Sequence, residues 1–82
     1  MGTHNVQTPI PGVFYRRTAP DQPEYAAPGD VVTADQTIGL VEVMKQYAEI
    51  KAGADGTIVS FEVDNESIIG PGDIVAVIET SA

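Results

Sequence analysis

The chain has 82 residues, 43% of them apolar, with twelve acids against four bases and a formal net charge of −8. That is enough apolar content for one small core and too much for an intrinsically disordered chain. The absence of cysteine excludes disulfide scaffolds, thiolate metal sites and cysteine nucleophiles, and the acidity argues against nucleic acid and anionic membranes as partners. No apolar run nears the roughly 20 residues of a spanning helix. The opening residues, 1–7, lack the cationic and apolar regions of a signal peptide, so the expected location is cytoplasmic.

Residues 1–7 read as a polar N-terminal tail, and residues 8–80 as one domain. His4, the single histidine, sits in the tail and is a poor ligand or base without a partner. Thr8 to Gly12 carries Pro9 and Pro11, which forbid a helix and suggest an extended edge segment. Val13 to Tyr15 is a strand that ends at Arg16 and Arg17. Residues 18–29 contain Pro20, Pro23 and Pro28 and form a loop longer than a hairpin needs. Val31 and Val32 form a short strand. Thr37 to Val43 is the strongest strand pattern, followed closely by Gln46 to Lys51. Gly53 to Gly56 is a turn. Thr57 to Val63 alternates as a strand should. Ile68-Ile69 and Ile74 to Ile78 complete about eight short strands with no helix. Frequent turns between short strands predict an all-β fold, a flattened barrel or sandwich.

An internal repeat sharpens the expectation. With a shift of 37 residues, Val31-Val32 falls on Ile68-Ile69, Gly39 on Ala76, and Glu42 on Glu79. Two half-domains about a pseudo-twofold axis follow. After Glu79 the second half runs out, whereas after Glu42 the first half passes through Val43, Met44, Lys45 and Gln46 into another strand. One end of the molecule is therefore expected to carry a closed hairpin tip with a lysine, and the other the chain ends. Glu42 and Glu79 then lie at opposite ends and do not form a carboxylate pair. Met44-Lys45 is a two-residue connection without the glycine or asparagine such turns favour. Local propensity is breached there, as happens at functional sites.

Glu42-Val43-Met44-Lys45 resembles the Glu-Ala-Met-Lys attachment sequence of biotinyl domains. Glu49-Ile50 and Asp55-Gly56-Thr57-Ile58-Val59 are similar to the family's continuation. Pro9-Ile10-Pro11-Gly12-Val13-Phe14-Tyr15-Arg16 is similar to the Pro-Met-Pro-Gly-Val-Phe-Tyr-Arg opening of bacterial biotin carboxyl carriers. The resemblance covers roughly residues 8–79. It implies the biotinyl/lipoyl barrel-sandwich hybrid fold, with biotin joined by an amide to Lys45 and with Glu42, Val43, Met44 and Gln46 as its flanks. It also implies a biotin protein ligase that acylates Lys45, and a biotin carboxylase and a carboxyltransferase served in turn. The chain itself would be a carrier rather than an enzyme, with acetyl-CoA as the expected acceptor.

The long loop resembles the thumb of acetyl-CoA carboxylase carriers, spanning about Ala19 to Ala26 and including Pro20, Asp21, Gln22, Pro23, Glu24 and Tyr25. Val43, Gln46, Tyr47 and Ala48 depart from the family's pattern beside the lysine. Lipoyl domains share the fold but carry Asp before the lysine, where this chain has Met44. A lipoyl carrier and an unmodified barrel acting as an adaptor are the alternatives. Lys51, the other lysine, is expected to stay unmodified, because both amines have similar intrinsic reactivity and only their positions differ.

Overall fold

A computed structural model describes residues 2–19 and 21–80; Pro20, within the thumb-like loop, lies outside them. Eight strands follow one another as β1 (Gly2–Gln7), β2 (Gly12–Tyr15), β3 (Val31–Val32), β4 (Thr37–Val43), β5 (Gln46–Lys51), β6 (Gly56–Phe61), β7 (Ser67–Ile69) and β8 (Ile74–Thr80). They form two four-stranded antiparallel sheets, ordered β1-β8-β6-β3 and β5-β4-β2-β7. The all-β expectation holds.

Each sheet turns one face inward. Phe14, Ile38 and Val41 from one sheet, and Val32, Ile58, Val75 and Ile78 from the other, are almost fully buried in a single cluster. Burying each such side chain contributes about 1.5–3 kcal/mol. The interior strands β4 and β8, hydrogen-bonded on both edges, contribute Ile38, Val41, Val75, Ala76 and Ile78 to it.

The pseudo-twofold repeat is realised in the strands. β4 and β8 have the same length and lie 37 residues apart. Glu42 is paired with Val13, and Glu79 with Thr57. Gly12 faces Ile69, and Gly56 faces Val32. At both glycines the strands approach so closely that a Cβ would run into a backbone carbonyl, that of Glu42 at Gly12 and that of Glu79 at Gly56. The two halves therefore share a steric requirement for glycine at equivalent places.

The N-terminal expectation is corrected. Gly2–Gln7 is an edge strand paired along β8, from Gly2 opposite Thr80 to Gln7 opposite Ile74, and not a tail. Its side chains alternate between solvent and a buried Val6. The pairing is made by backbone groups that an unpaired β8 edge would leave unsatisfied, so the polar sequence does not oppose it. His4 belongs to this strand, opposite Ile78 and close against Gly53. The segment expected at Thr8 to Gly12 is not a strand before Gly12. Thr8 is buried there, its N–H donating to the carbonyl of Asp73 at 3.0 Å and its hydroxyl to the carbonyl of Ile10 at 2.7 Å.

Candidate functional site

After a register shift between Thr37 and Gly39, β4 and β5 are paired residue by residue up to Val43 opposite Gln46. Only Met44 and Lys45 remain to turn the chain. Their φ values are 52° and 66°, both left-handed, as a type I′ hairpin turn requires at its two central residues. Neither is glycine, so each side chain sits in a region that costs about 1–2 kcal/mol. Met44→Gly is expected to remove part of this cost and stabilise the domain by about 0.5–1 kcal/mol, read as a higher urea midpoint at an unchanged slope.

The turn holds its side chains in solvent. Met44 is 91% exposed and Lys45 is exposed. Arg16 and Arg17 are ion-paired to Glu24, and Lys51 to Glu49. Among the described residues, Lys45 is the cation with no hydrogen bond or ion pair. Lys51 lies at the far end of β5, about 20 Å along the strand at 3.3 Å per residue. Its ammonium is held 3.1 Å from both Glu49 and Thr37, and that bond keeps the Glu49 carboxyl below its ordinary value. An exposed, unpartnered primary amine on a fixed turn fits a covalently tethered carboxylic acid such as biotin.

One groove borders the tip, and a second shares Tyr47 with it. One, of about 400 Å³, is lined by Ile10, Val43, Met44, Gln46, Tyr47 and Ala48. The other, of about 330 Å³, has Tyr15, Leu40 and Tyr47 on one side. Its lining also includes Arg17, Thr18 and Ala19 at the start of the long loop, with Asn65 and Glu66. Glu66 itself has φ 67°, a strained value for a residue with a side chain. Across the outer face, the Tyr15 hydroxyl donates to Glu42 Oε1 at 2.8 Å. That bond, followed by burial and the Glu42 charge, raises the Tyr15 phenol above its ordinary value.

The long loop is tied down at its base. The Arg16 guanidinium lies 4.1 Å from the centroid of the Phe61 ring and also reaches Glu24 at 3.3 Å and the Ala26 carbonyl at 3.4 Å. Arg17 meets the other Glu24 oxygen at 3.2 Å. The Tyr25 N–H donates to the Arg16 carbonyl at 2.9 Å, and Ala26 is buried. Of the residues expected in the thumb, Ala19 lines the groove and Glu24 staples the loop. Asp21, Gln22 and Pro23 are exposed, and Tyr25 is half-buried.

A family model described as "biotin-requiring enzyme", for biotinyl and lipoyl domains, matches residues 4–78. The chain belongs to that family. Within it, the chain is 41% identical over 64 residues to the "Biotin carboxyl carrier protein of acetyl-CoA carboxylase" of Streptococcus pyogenes, covering 78% of this chain and 39% of that one. It is 38% identical over 60 residues to the carrier of the same name from Chlamydia pneumoniae, covering 73% and 36%. The chain thus spans under two-fifths of the length of these biotinyl relatives. Among solved structures it superposes on part of the Kluyveromyces lactis urea carboxylase with a TM-score of 0.79 at 25% identity, over 96% of this chain and 6% of that one.

Membership in the biotinyl/lipoyl family agrees with the tip geometry. Sequence reasoning placed Glu42 to Gln46 at the tip and located the long loop. It did not single out Tyr15, Leu40, Asn65 and Glu66, which line the groove that contains Tyr47. Alternation along β2 and β4 could have put Tyr15 and Glu42 on one outer face, once those two strands were paired in register.

Proposed function

We propose that this chain is the biotinyl carrier domain of a biotin-dependent carboxylase, with Lys45 as the attachment lysine. The observation that carries this reading is the unpartnered Lys45 amine on a two-residue turn, in a chain of the biotin-requiring family. When bound, biotin supplies a ureido nitrogen that takes up carboxylate at one active site and yields it at another. The contribution of the protein is presentation. The paired β4 and β5 strands fix where the Lys45 amine emerges, which lowers the cost of positioning it in a ligase. The exposed Met44 and Gln46 and the half-buried Glu42 and Val43 form the surface a partner meets around that amine.

The partners in this reading are a biotin protein ligase, a biotin carboxylase and a carboxyltransferase. Acetyl-CoA is the proposed acceptor, supported by the names of the carriers to which the chain is similar. The loop over residues 19–26 is the proposed thumb, supported by its stapled base and by the groove it shares with Tyr15 and Tyr47.

The test is intact-mass spectrometry after incubation with biotin, ATP and a biotin ligase. A gain of one biotinyl group is the expected result. No gain with biotin, but one with lipoate and a lipoate ligase, would move the assignment to the lipoyl branch. No gain with either would leave an unmodified adaptor barrel.

A further inference from the structure

The sheet that carries the tip has a row of side chains on its outer face that the other sheet lacks. Tyr15 on β2 donates to Glu42 on β4 at 2.8 Å. Tyr47 on β5 is paired with Glu42 in register, and its ring centroid lies 6.3 Å from that of Tyr15. Three strands are thus linked by one phenol, one carboxylate and one exposed ring, two to three residues from Lys45 at the nearest points.

The pseudo-twofold axis provides an internal comparison. Glu42 has Val13 and Tyr47 as its strand partners, and Glu79 has Thr57 and Thr3. Two residues beyond Val13 stands Tyr15. Two residues beyond Thr57 stands Val59, within a bulge, and the next residue, Ser60, donates its hydroxyl to Glu62 at 2.6 Å. Among the described residues, Glu79 receives no side-chain hydrogen bond. The backbone frames are alike, and the second half keeps its strands and its buried residues without a tyrosine–glutamate bond. The fold therefore does not require one. It occurs at the end that carries the unpartnered lysine.

We propose that Tyr15 is a positioning residue for acylation of Lys45: its hydroxyl fixes the Glu42 carboxylate beside Tyr47, and the ligase docks on that row. The proposal rests on the reading of Lys45 as the attachment lysine. Glu42 Oε2 makes no hydrogen bond among the described residues, so it is available to a donor of the ligase. A glutamate freed from Tyr15 samples several rotamers, and ordering it on docking costs side-chain entropy. Glu42 does not touch the reacting amine, so the effect falls on recognition and not on the chemical step.

The experiment measures ligation rates against carrier concentration at saturating biotin and ATP. Tyr15→Phe keeps the ring and removes the hydroxyl. It is expected to raise KM for the carrier about five-fold, the scale of one net hydrogen bond, with kcat unchanged. Glu42→Gln should raise KM at least as far, and adding Tyr15→Phe to it should change nothing more. In a parallel titration of phenolate absorbance, the raised Tyr15 phenol should move down in Glu42→Gln. Glu42, Tyr47 and Glu66 are the ionisable groups acting on it.

An unchanged KM in Tyr15→Phe, a loss confined to kcat, or multiplying effects in the double variant would overturn the proposal, and so would a titration indifferent to Glu42→Gln. If the wild-type chain is not acylated at all, the attachment reading fails and the proposal falls with it. Normal wild-type acylation with no Tyr15 effect removes the proposal alone.

Discussion

Lys45→Arg is expected to abolish the biotinyl mass gain completely, while Lys51→Arg leaves it intact. Arginine keeps the charge and the length of the side chain, but its guanidinium does not deprotonate in proteins. It cannot supply the neutral amine that forms an amide. The comparison with Lys51 separates geometry from reactivity. Lys51 is engaged by Glu49 and Thr37 at 3.1 Å, at the far end of a strand whose near end is the tip. Lys45 stands on the turn without a partner among the described residues. Thermal melting should be unchanged in both variants, because each side chain is exposed and exposed ion pairs contribute little. Label that remains in Lys45→Arg and disappears only when Lys51 is also replaced would relocate the site.

Gly39→Ala is expected to destabilise the domain by about 3 kcal/mol, at the upper end of overpacking costs, and adding Phe14→Ile should recover most of the loss. Gly39 is buried on β4. A Cβ there would press into the Phe14 ring, with the Tyr15 carbonyl oxygen at 3.1 Å behind it. Phe14 is fully buried and cannot swing out of the way in a close-packed core. The other half of the molecule already contains the proposed solution. The residue equivalent to Gly39 is Ala76, and β6 offers Ile58 where β2 offers Phe14. Phe14→Ile alone should cost about 1–2 kcal/mol through the volume it removes. A double variant less stable than the sum of the two singles would show that the halves do not exchange their packing. The readout is urea unfolding, with the coupling taken from the double-mutant cycle.

Much of the fold was legible because its signals are local. Short apolar stretches between glycine, proline and aspartate turns marked most of the strands. The shift of 37 residues gave the pseudo-twofold. Met44-Lys45 stood out because two strand patterns left only those residues between them. β1 was not legible: its sequence, with Thr3, Asn5 and Gln7, has only one deeply buried position, Val6. It becomes a strand because the edge of β8 presents backbone groups to pair with. That is a property of the folded sheet and not of residues 2–7. Glu66 at positive φ was hidden for a related reason. No glycine marks the turn, and the Glu66 N–H bond to the Phe14 carbonyl joins residues distant in sequence.

The sequence by itself determined the class of fold, its twofold repeat, the hairpin tip and the identity of the lysine on it, since each depends on spacing along the chain. Only the tertiary structure decided that Lys51 is engaged and Lys45 is not, that Gly12 and Gly56 meet equivalent carbonyls, and that Tyr15, Glu42 and Tyr47 stand in one row. These depend on the register between strands, and register is set by which face of each strand the common core accepts.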